Sequence, residues 1–529
     1  MTAITPNEID GHLRFLSSDL LEGRAPGTRG GRLAAEYIAS QLRAVGVAPA
    51  GDSGSYFQRV PIDIVGADPA SIQLGVGMTM PSAPNTGGPA VSPRSLPQLR
   101  YPDDVVLWAG SATERSNASG EIVFVGYGAK APEYRWDDFK GMDLKGKILL
   151  VLVNDPPAPA SEPTLFGGKA MTYYGRWTYK FEEAERQGAA GMLIVHTTEQ
   201  AGYPWHTVVG SWAKEQRMLP RDPKLPAPLG FRGWVTDSAA AALLRQAGLD
   251  LATLRTQAAS RDFKPVSTGI IFSASFRNTV QHLMSENVVG KVTGRDAKAR
   301  NEYVVLSAHW DHLGIGPAVN GDSIYNGASD NASGVADLLA VARAAAQGAK
   351  PRRSLLFAFV TAEESGLLGS EWFATHPPVP VKQIVADLNL DGGNILGRTR
   401  DVTVLGENKS TLGSTIAAMI RPQGMRISPD DHPERGHFYR SDHFSFARAG
   451  IPSVSIGAGN DFTDHPAGWG AQQEEDYTAH RYHQPSDEYR ENFDLSGAAQ
   501  LSQLVYRLAI KLGNDSAWPA WAKDAEFKR

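Results

Sequence analysis

Two imidazoles and three carboxylates in the second half of the chain, His309, Asp330, Glu364, Asp391 and His483, are side chains of the kind that hold transition metals. Three of them, His309, Glu364 and Asp391, fall just past short apolar runs. Neutral imidazole and carboxylate together suit Zn²⁺, which accepts both N and O ligands. Two dications against three carboxylates leave one positive charge, which a bridging hydroxide would cancel. The chemistry expected of such a set is hydrolysis.

Each local string also has an ordinary explanation. His309 stands in Ser307-Ala-His-Trp-Asp-His312, which alone reads equally well as a polar strand end. As a ligand, His309 would give its second ring proton to Asp311, fixing the tautomer; His312 is a spare, second to the ligands or on the surface. Asp330 precedes a helical pattern and alone would be an N-terminal acid; as a ligand, its two free oxygens suit a bridge between metals about 3.5–4 Å apart. Glycines 327 and 334 allow close backbone approach around it. Glu363 and Glu364 are adjacent acids after an almost wholly apolar strand, a costly placement unless something positive holds them. Glu364 is assigned as ligand and Glu363 as general base. Asp391 ends an alternating string that an edge strand would also explain. His483 lies in the turn-like Tyr482-His-Gln-Pro-Ser-Asp487, with His480 its competitor.

The elements that would carry these groups alternate strand and helix. Tyr303–Ala308, Ser354–Val360, Ile384–Leu390 and Pro452–Ile456 read as strands; 331–346, 367–375, 409–420 and 495–512 read as helices. This predicts an α/β fold, a mainly parallel mixed sheet with helices on both faces. Ligands of such sheets bind beyond the carboxyl ends of the strands, where His309, Glu363, Glu364 and Asp391 fall. Upstream, residues 6–47 read as two helices joined by the turn-rich Glu22-Gly-Arg-Ala-Pro-Gly-Thr-Arg-Gly30. Residues 78–97 shift to Pro, Gly and Ser, a loop or boundary. From about Tyr101 to Gln257, short β-rich runs with helices at 177–187 and 238–247 predict a smaller α+β unit. The expected division is 1–65, 66–269 and 270–529.

With 529 residues, two or more domains are expected. A net charge of −5 without a long Lys/Arg run gives no support to nucleic-acid binding. The absence of cysteine excludes thiolate ligands, thiol nucleophiles and disulfides. No apolar run approaches the ~20 residues that span a bilayer, and no signal peptide is visible at the start. The string Gly141-Met-Asp-Leu-Lys-Gly-Lys147 has the spacing of a phosphate loop, but Ile148 replaces the required Ser/Thr. No His-Glu-x-x-His or Gly-x-Ser-x-Gly string is present.

In order, spacing and type, the five metal-grade residues resemble the cocatalytic di-zinc aminopeptidase and glutamate carboxypeptidase family of metallopeptidases. Ser441-Asp-His-Phe-Ser-Phe446 and Gly450-Ile-Pro-Ser-Val454 also look like that family, and residues 101–257 resemble its inserted protease-associated domain. The resemblance implies two zinc ions, one on His309 and Asp391, the other on Glu364 and His483, with Asp330 shared. It implies Glu363 as base, Asp311 behind His309, Tyr482 at an oxyanion-stabilising position, and a cis peptide after Asp330. The expected activity is that of a zinc-dependent exopeptidase acting on peptides through a metal-bridged hydroxide, an aminopeptidase first. Acids in Gly459-Asn-Asp-Phe-Thr-Asp464 are candidates to hold the substrate ammonium. A di-zinc carboxypeptidase or dipeptidase is the nearest alternative, and a catalytically silent receptor-like protein the remote one. A periplasmic or secreted location rests on the resemblance alone.

Overall fold

The computed structural model describes residues 4–78, 97–523 and 525–529. Most of the Pro-, Gly- and Ser-rich stretch, 79–96, therefore lies outside the described residues. The chain forms two compact units, one from residues 1–62, 283–431 and 437–529, the other from 63–282 with 432–436.

The first unit is built on α1 (Pro6–Leu16), α2 (Arg29–Ala44), β1 (Val266–Val292, of which only the end belongs here), β2 (Tyr303–His309), α3 (Gly334–Gln347), β3 (Ser354–Val360), α4 (Leu368–Thr375), β4 (Ile384–Asn389), β5 (Asp401–Leu405), α5 (Thr411–Ile420), β6 (Arg426–Ser428), α6 (His443–Arg448), β7 (Ser453–Ala458), α7 (Trp469–His480) and α8 (Ser496–Asn514). The strand order is β6-β5-β7-β4-β2-β3-β1. The pairs β2–β3, β2–β4, β4–β7 and β5–β6 are parallel, and β1–β3 and β5–β7 antiparallel. The sheet is mixed and mainly parallel.

Alternation along each strand divides its apolar residues between two cores. Val304, Leu306 and Ala308 join Leu355, Phe357 and Phe359 beneath Ile9, Ile38, Leu338, Ile416 and Leu504 of α1, α2, α3, α5 and α8. Tyr303, Val305, Leu356, Ala358 and Val360 face the other way, against Phe373 of α4 and Phe446 of α6. Both faces are therefore covered, which is why these strands are continuous apolar runs instead of alternating ones. Each such side chain contributes about 1.5–3 kcal/mol on burial, so the ends of β2, β3 and β4 are firmly placed. The first helix after the turn-rich N-terminal string starts at an N-cap, with Thr28 Oγ1 accepting Gly31 N–H at 3.1 Å.

In the second unit, strands Arg115–Phe124, Ile148–Leu152, Gly191–His196 and Phe231–Thr236 pair in succession, all parallel. Val105–Trp108 pairs antiparallel at one edge, and residues 266–277 of β1 pair antiparallel with Arg115–Phe124 and, on their other side, with Gln73–Met78. Helices Trp177–Arg186 and Asp237–Gln246 accompany the sheet, and Lys180, fully buried, donates to the carbonyls of Tyr127 and Asn154 at 2.5 and 3.0 Å.

Candidate metal centre

The three central strands β4, β2 and β3 lie side by side and parallel, so their carboxyl ends open at one place. His309 is the last residue of β2; Glu363 and Glu364 follow β3 by three and four residues; Asp391 follows β4 by two. After β3 the backbone turns sharply, with Ala362 at φ 55° and the amides of Gly366 and Leu367 returning to the Glu363 carbonyl at 2.8 and 2.9 Å. The two glutamates thereby leave the strand in different directions.

Asp330 sits between two imidazoles. Its Oδ1 is 3.3 Å from His309 Nε2 and its Oδ2 is 3.3 Å from His483 Nε2. Asp391 Oδ1 lies 3.2 Å from the same His309 nitrogen, and Glu364 Oε2 lies 3.1 Å from the same His483 nitrogen. The five residues therefore form two groups sharing one carboxylate. His309, Asp330 and Asp391 offer ligand atoms that all lie within 4.8 Å of one another, as do His312, Asp330 and Glu364. An N/O set of this composition fits Zn²⁺.

Close backbone approach makes the arrangement sterically feasible. Gly327, at φ 57°, is a position where a Cβ would lie 2.1 Å from the Asp330 carbonyl and 2.5 Å from His312 Cγ; at Gly334 one would lie 2.1 Å from Asn331 Oδ1. Asn331 ties the start of α3 to the end of β4: its Nδ2 donates to the Leu390 carbonyl at 3.0 Å, and its Oδ1 accepts from Gly334 and Gly392 at 3.0 and 2.8 Å. The Asp330–Asn331 peptide is cis.

The other expected residues are placed as follows. Asp311 is fully buried, and its Oδ1 accepts the Glu363 amide at 3.1 Å. The nearer acceptor for His309 Nδ1 is the Asp311 carbonyl at 3.2 Å; the carboxylate is at 3.9 Å. Tyr482 stacks on His483, ring centroids 3.9 Å apart, and is 49% exposed. His480 does not join the group; it is exposed and pairs with Asp476. Asp461, a candidate for the substrate ammonium, is occupied by Arg400 and Arg426, each at 2.9 Å, and Asp464 accepts from Thr463.

Electrostatics follow from crowding acids in a dry place. Burial, then the charges of Glu364, Asp391 and Asp442, lifts Glu363 well above the usual carboxyl value, against the lowering pull of His309. Burial pushes Asp311 up to about 6 and Asp442 up to about 7. At His483, burial is outweighed by the hydrogen bonds and charges of Asp330 and Glu364, which raise it to about 10.

Two contributors went unread in the sequence, and a third, His312, was read only as a spare. Arg24 is 1% exposed, and its guanidinium donates to the carbonyls of Trp310, Leu16, Asn326 and Gly327 at 2.9, 2.6, 2.5 and 3.0 Å. It clamps the segment after His309 to the segment before Asp330. Burial brings it down to about 10, partly opposed by Asp330, Asp311, Asp487 and Glu364. Asp487 accepts the amides of Ser329 and Asp330 at 3.0 and 3.1 Å. His312 bonds Glu364 Oε1 at 2.7 Å. An arginine inside a glycine-rich turn was the one available signal for the first; Asp487 stands in the same short string as His483.

Residues 287–509 match the model of Peptidase family M28. A vacuolar membrane protease of Candida dubliniensis is 36% identical over 23% of this chain and 12% of its own length. A probable glutamate carboxypeptidase, AMP1 of Arabidopsis thaliana, is 25% identical over 65% of this chain and 49% of its own. The chain thus spans less than half the length of either relative. Among solved structures, an aminopeptidase from Aneurinibacillus sp. strain AM-1 aligns over 97% of this chain and 94% of its own at 19% identity, with a TM-score of 0.46. The periplasmic or secreted location drawn from the resemblance is corrected: vacuolar membrane proteases of several yeasts stand among the relatives and overturn it. No helix among the described residues is long and apolar enough to cross a membrane. The sheet-bearing C-terminal part of the chain, residues 287–509, is thus similar to Peptidase family M28.

Proposed function

We propose that the chain is a zinc-dependent exopeptidase holding two metal ions, and that it removes residues from the N-terminus of peptides. The observation that carries this reading is Asp330, whose two oxygens each lie 3.3 Å from a different imidazole nitrogen. One position takes His309 and Asp391, the other His483 and Glu364, and Asp330 serves both. Metal at these positions supplies a Lewis acid and a water of lowered pKa.

The chain's own groups do the rest. Glu363 receives the proton of the attacking water and passes it to the departing amine; its burial among other acids gives it the proton affinity a base needs. Its amide is held by Asp311, which fixes where the carboxylate starts. The Tyr482 hydroxyl, kept protonated by its partial burial and by Asp330, Glu364, Glu363 and Asp391, is available to donate to the carbonyl oxygen as charge develops. His309 is oriented through Nδ1 by the Asp311 carbonyl.

Charge favours the N-terminal end. The carboxyls of Asp311, Asp330, Glu363, Glu364, Asp391, Asp442 and Asp487 act on one another here. Arg24 is committed to main-chain carbonyls and offers nothing to a substrate carboxylate. Those carboxylates that are ionised attract an ammonium. Carboxypeptidase action is the second reading, favoured by the name of the Arabidopsis relative. The residues 63–282 unit is proposed to be the family's protease-associated domain, inserted into the peptidase domain.

One experiment tests both ends: zinc-loaded protein is given a peptide free at both termini, one acetylated at the N-terminus and one amidated at the C-terminus. Loss of cleavage on acetylation supports the aminopeptidase; loss only on amidation replaces it with the carboxypeptidase. No cleavage of any by protein carrying its zinc removes the enzymatic reading.

A further inference from the structure

His312 is a fully buried group at the site to which the mechanism gives no task. Its Nδ1 lies 2.7 Å from Glu364 Oε1 and 4.0 Å from Asp330 Oδ2, while its Nε2 is buried without a hydrogen-bond partner among the described residues. Its ring meets that of His483 edge-on, centroids 5.7 Å apart. An imidazole so placed has two uses, as a metal ligand or as a hydrogen-bond donor to Glu364.

Its two nitrogens separate them. With Nδ1 bound to an ion, the proton would sit on Nε2, leaving a buried N–H without an acceptor, which is costly. A ligating histidine nearly always gives that second proton to an oxygen. His309 has such an acceptor in the Asp311 carbonyl at 3.2 Å, and His312 has none. With the proton on Nδ1, His312 makes a short bond to a carboxylate and leaves only a bare lone pair at Nε2, a less rare defect than an orphaned N–H. The two oxygens of Glu364 are then unequal: Oε1 is engaged by His312, and Oε2 faces His483 Nε2 at 3.1 Å.

We propose that His312 is a positioning residue that donates Nδ1–H to Oε1 of Glu364 and so makes Glu364 a one-oxygen ligand of the metal position it shares with His483. The inference rests on the two-position reading above. By holding Oε1 aside, His312 keeps the carboxylate from closing on the ion with both oxygens, which leaves room at that position for water or substrate. Gly327 is part of the device, because a side chain there would collide with the His312 ring.

The test measures metal binding, not turnover. Zinc affinity is determined by competition with a chromophoric chelator for the metal-free wild type, His312→Leu, which keeps bulk without a donor, and His312→Asn, whose amide N–H can stand where Nδ1 is. The expectation is that Leu weakens one of the two zinc ions by about 10–100-fold and leaves the other nearly unchanged, and that Asn recovers most of the loss. Wild-type affinity for both ions in the Leu variant overturns the proposal, as does an Asn variant as weak as Leu. Should either variant fail to fold, nitrogen NMR of the wild type loaded with ¹¹³Cd decides: a protonated His312 Nδ1 supports the proposal, and cadmium splitting at that nitrogen overturns it. Wild-type protein that takes up fewer than two ions sinks the two-position reading itself, before any variant is compared.

Discussion

Replacing Arg24 with Met should loosen two ligand-bearing segments at once, and the size of the effect follows from its contacts. Four main-chain carbonyls lose a donor, those of Trp310, Leu16, Asn326 and Gly327. Hydrogen bonds from a charged group contribute about 1.5–3 kcal/mol each, roughly 6–12 kcal/mol in all. Against that stands the cost of burying the guanidinium, only partly offset by the nearby acids, a net effect whose fall from 12.5 to about 10 corresponds to about 3 kcal/mol. Water and relaxation recover part of the remainder, so a net loss of about 3–5 kcal/mol is expected, the range seen when one partner of a buried charge network is removed. With two units in the chain, a single global unfolding energy is ill-defined, and a local readout is preferable. Hydrogen exchange of peptides covering residues 310–331, followed by mass spectrometry, should speed up by about 10²–10⁴-fold in Arg24→Met, at 1.36 kcal/mol per decade. Arg24→Lys, which keeps the charge but cannot fork to four acceptors, should fall between. Protection in the Met variant within a few-fold of wild type would refute the clamp.

Glu363→Gln should bind zinc as the wild type does while turnover on a chromogenic amino-acid amide drops by about 10²–10⁴-fold; near-normal turnover removes Glu363 as the base. Glu364→Ala should retain one zinc and lose the other by metal analysis, and full retention would discard it as a ligand. Asp337 in α3 is fully buried with neither oxygen hydrogen-bonded, and burial raises it well above the usual value, only partly offset by Ser502. Because the folded state holds this proton more tightly than the unfolded chain, its contribution is most favourable below ~3.9 and is lost as pH rises above that value. Asp337→Asn should therefore raise the melting temperature more at pH 8 than at pH 5. An equal shift at both would show that this carboxyl is not what the pH acts on.

The strands that lead to the proposed ligands were legible because burial on both faces leaves mostly apolar residues in them; Ser354–Val360 has the same limits in sequence and structure. Their order was not, since nothing in β2 itself says that β3 and β4 will flank it. Helix α7 escaped notice because only Gly470 in it is buried, so it has no apolar stripe to detect. The second unit was expected to be α+β, and the run of parallel pairs from Arg115 to Thr236 depends on partners far apart in the chain. At the site, ligand-type side chains stand out by their chemistry. Arg24 and Asp487 act on main-chain groups, which every residue possesses, and leave no pattern to read. His312 was visible in its string, but its partner Glu364 is 52 residues away. The acids of 459–464 fit the need for a negative group by type alone; Arg400 and Arg426, remote in sequence, had already taken Asp461.

Asp487 receives the amides of residues that precede it by 157 and 158 positions. On a ribosome, the segment with Asp330 is made long before the residue that pins its backbone, and His483 emerges only four residues ahead of that pin. The nascent chain thus has no finished cradle for a dication until residue 487 has left the tunnel.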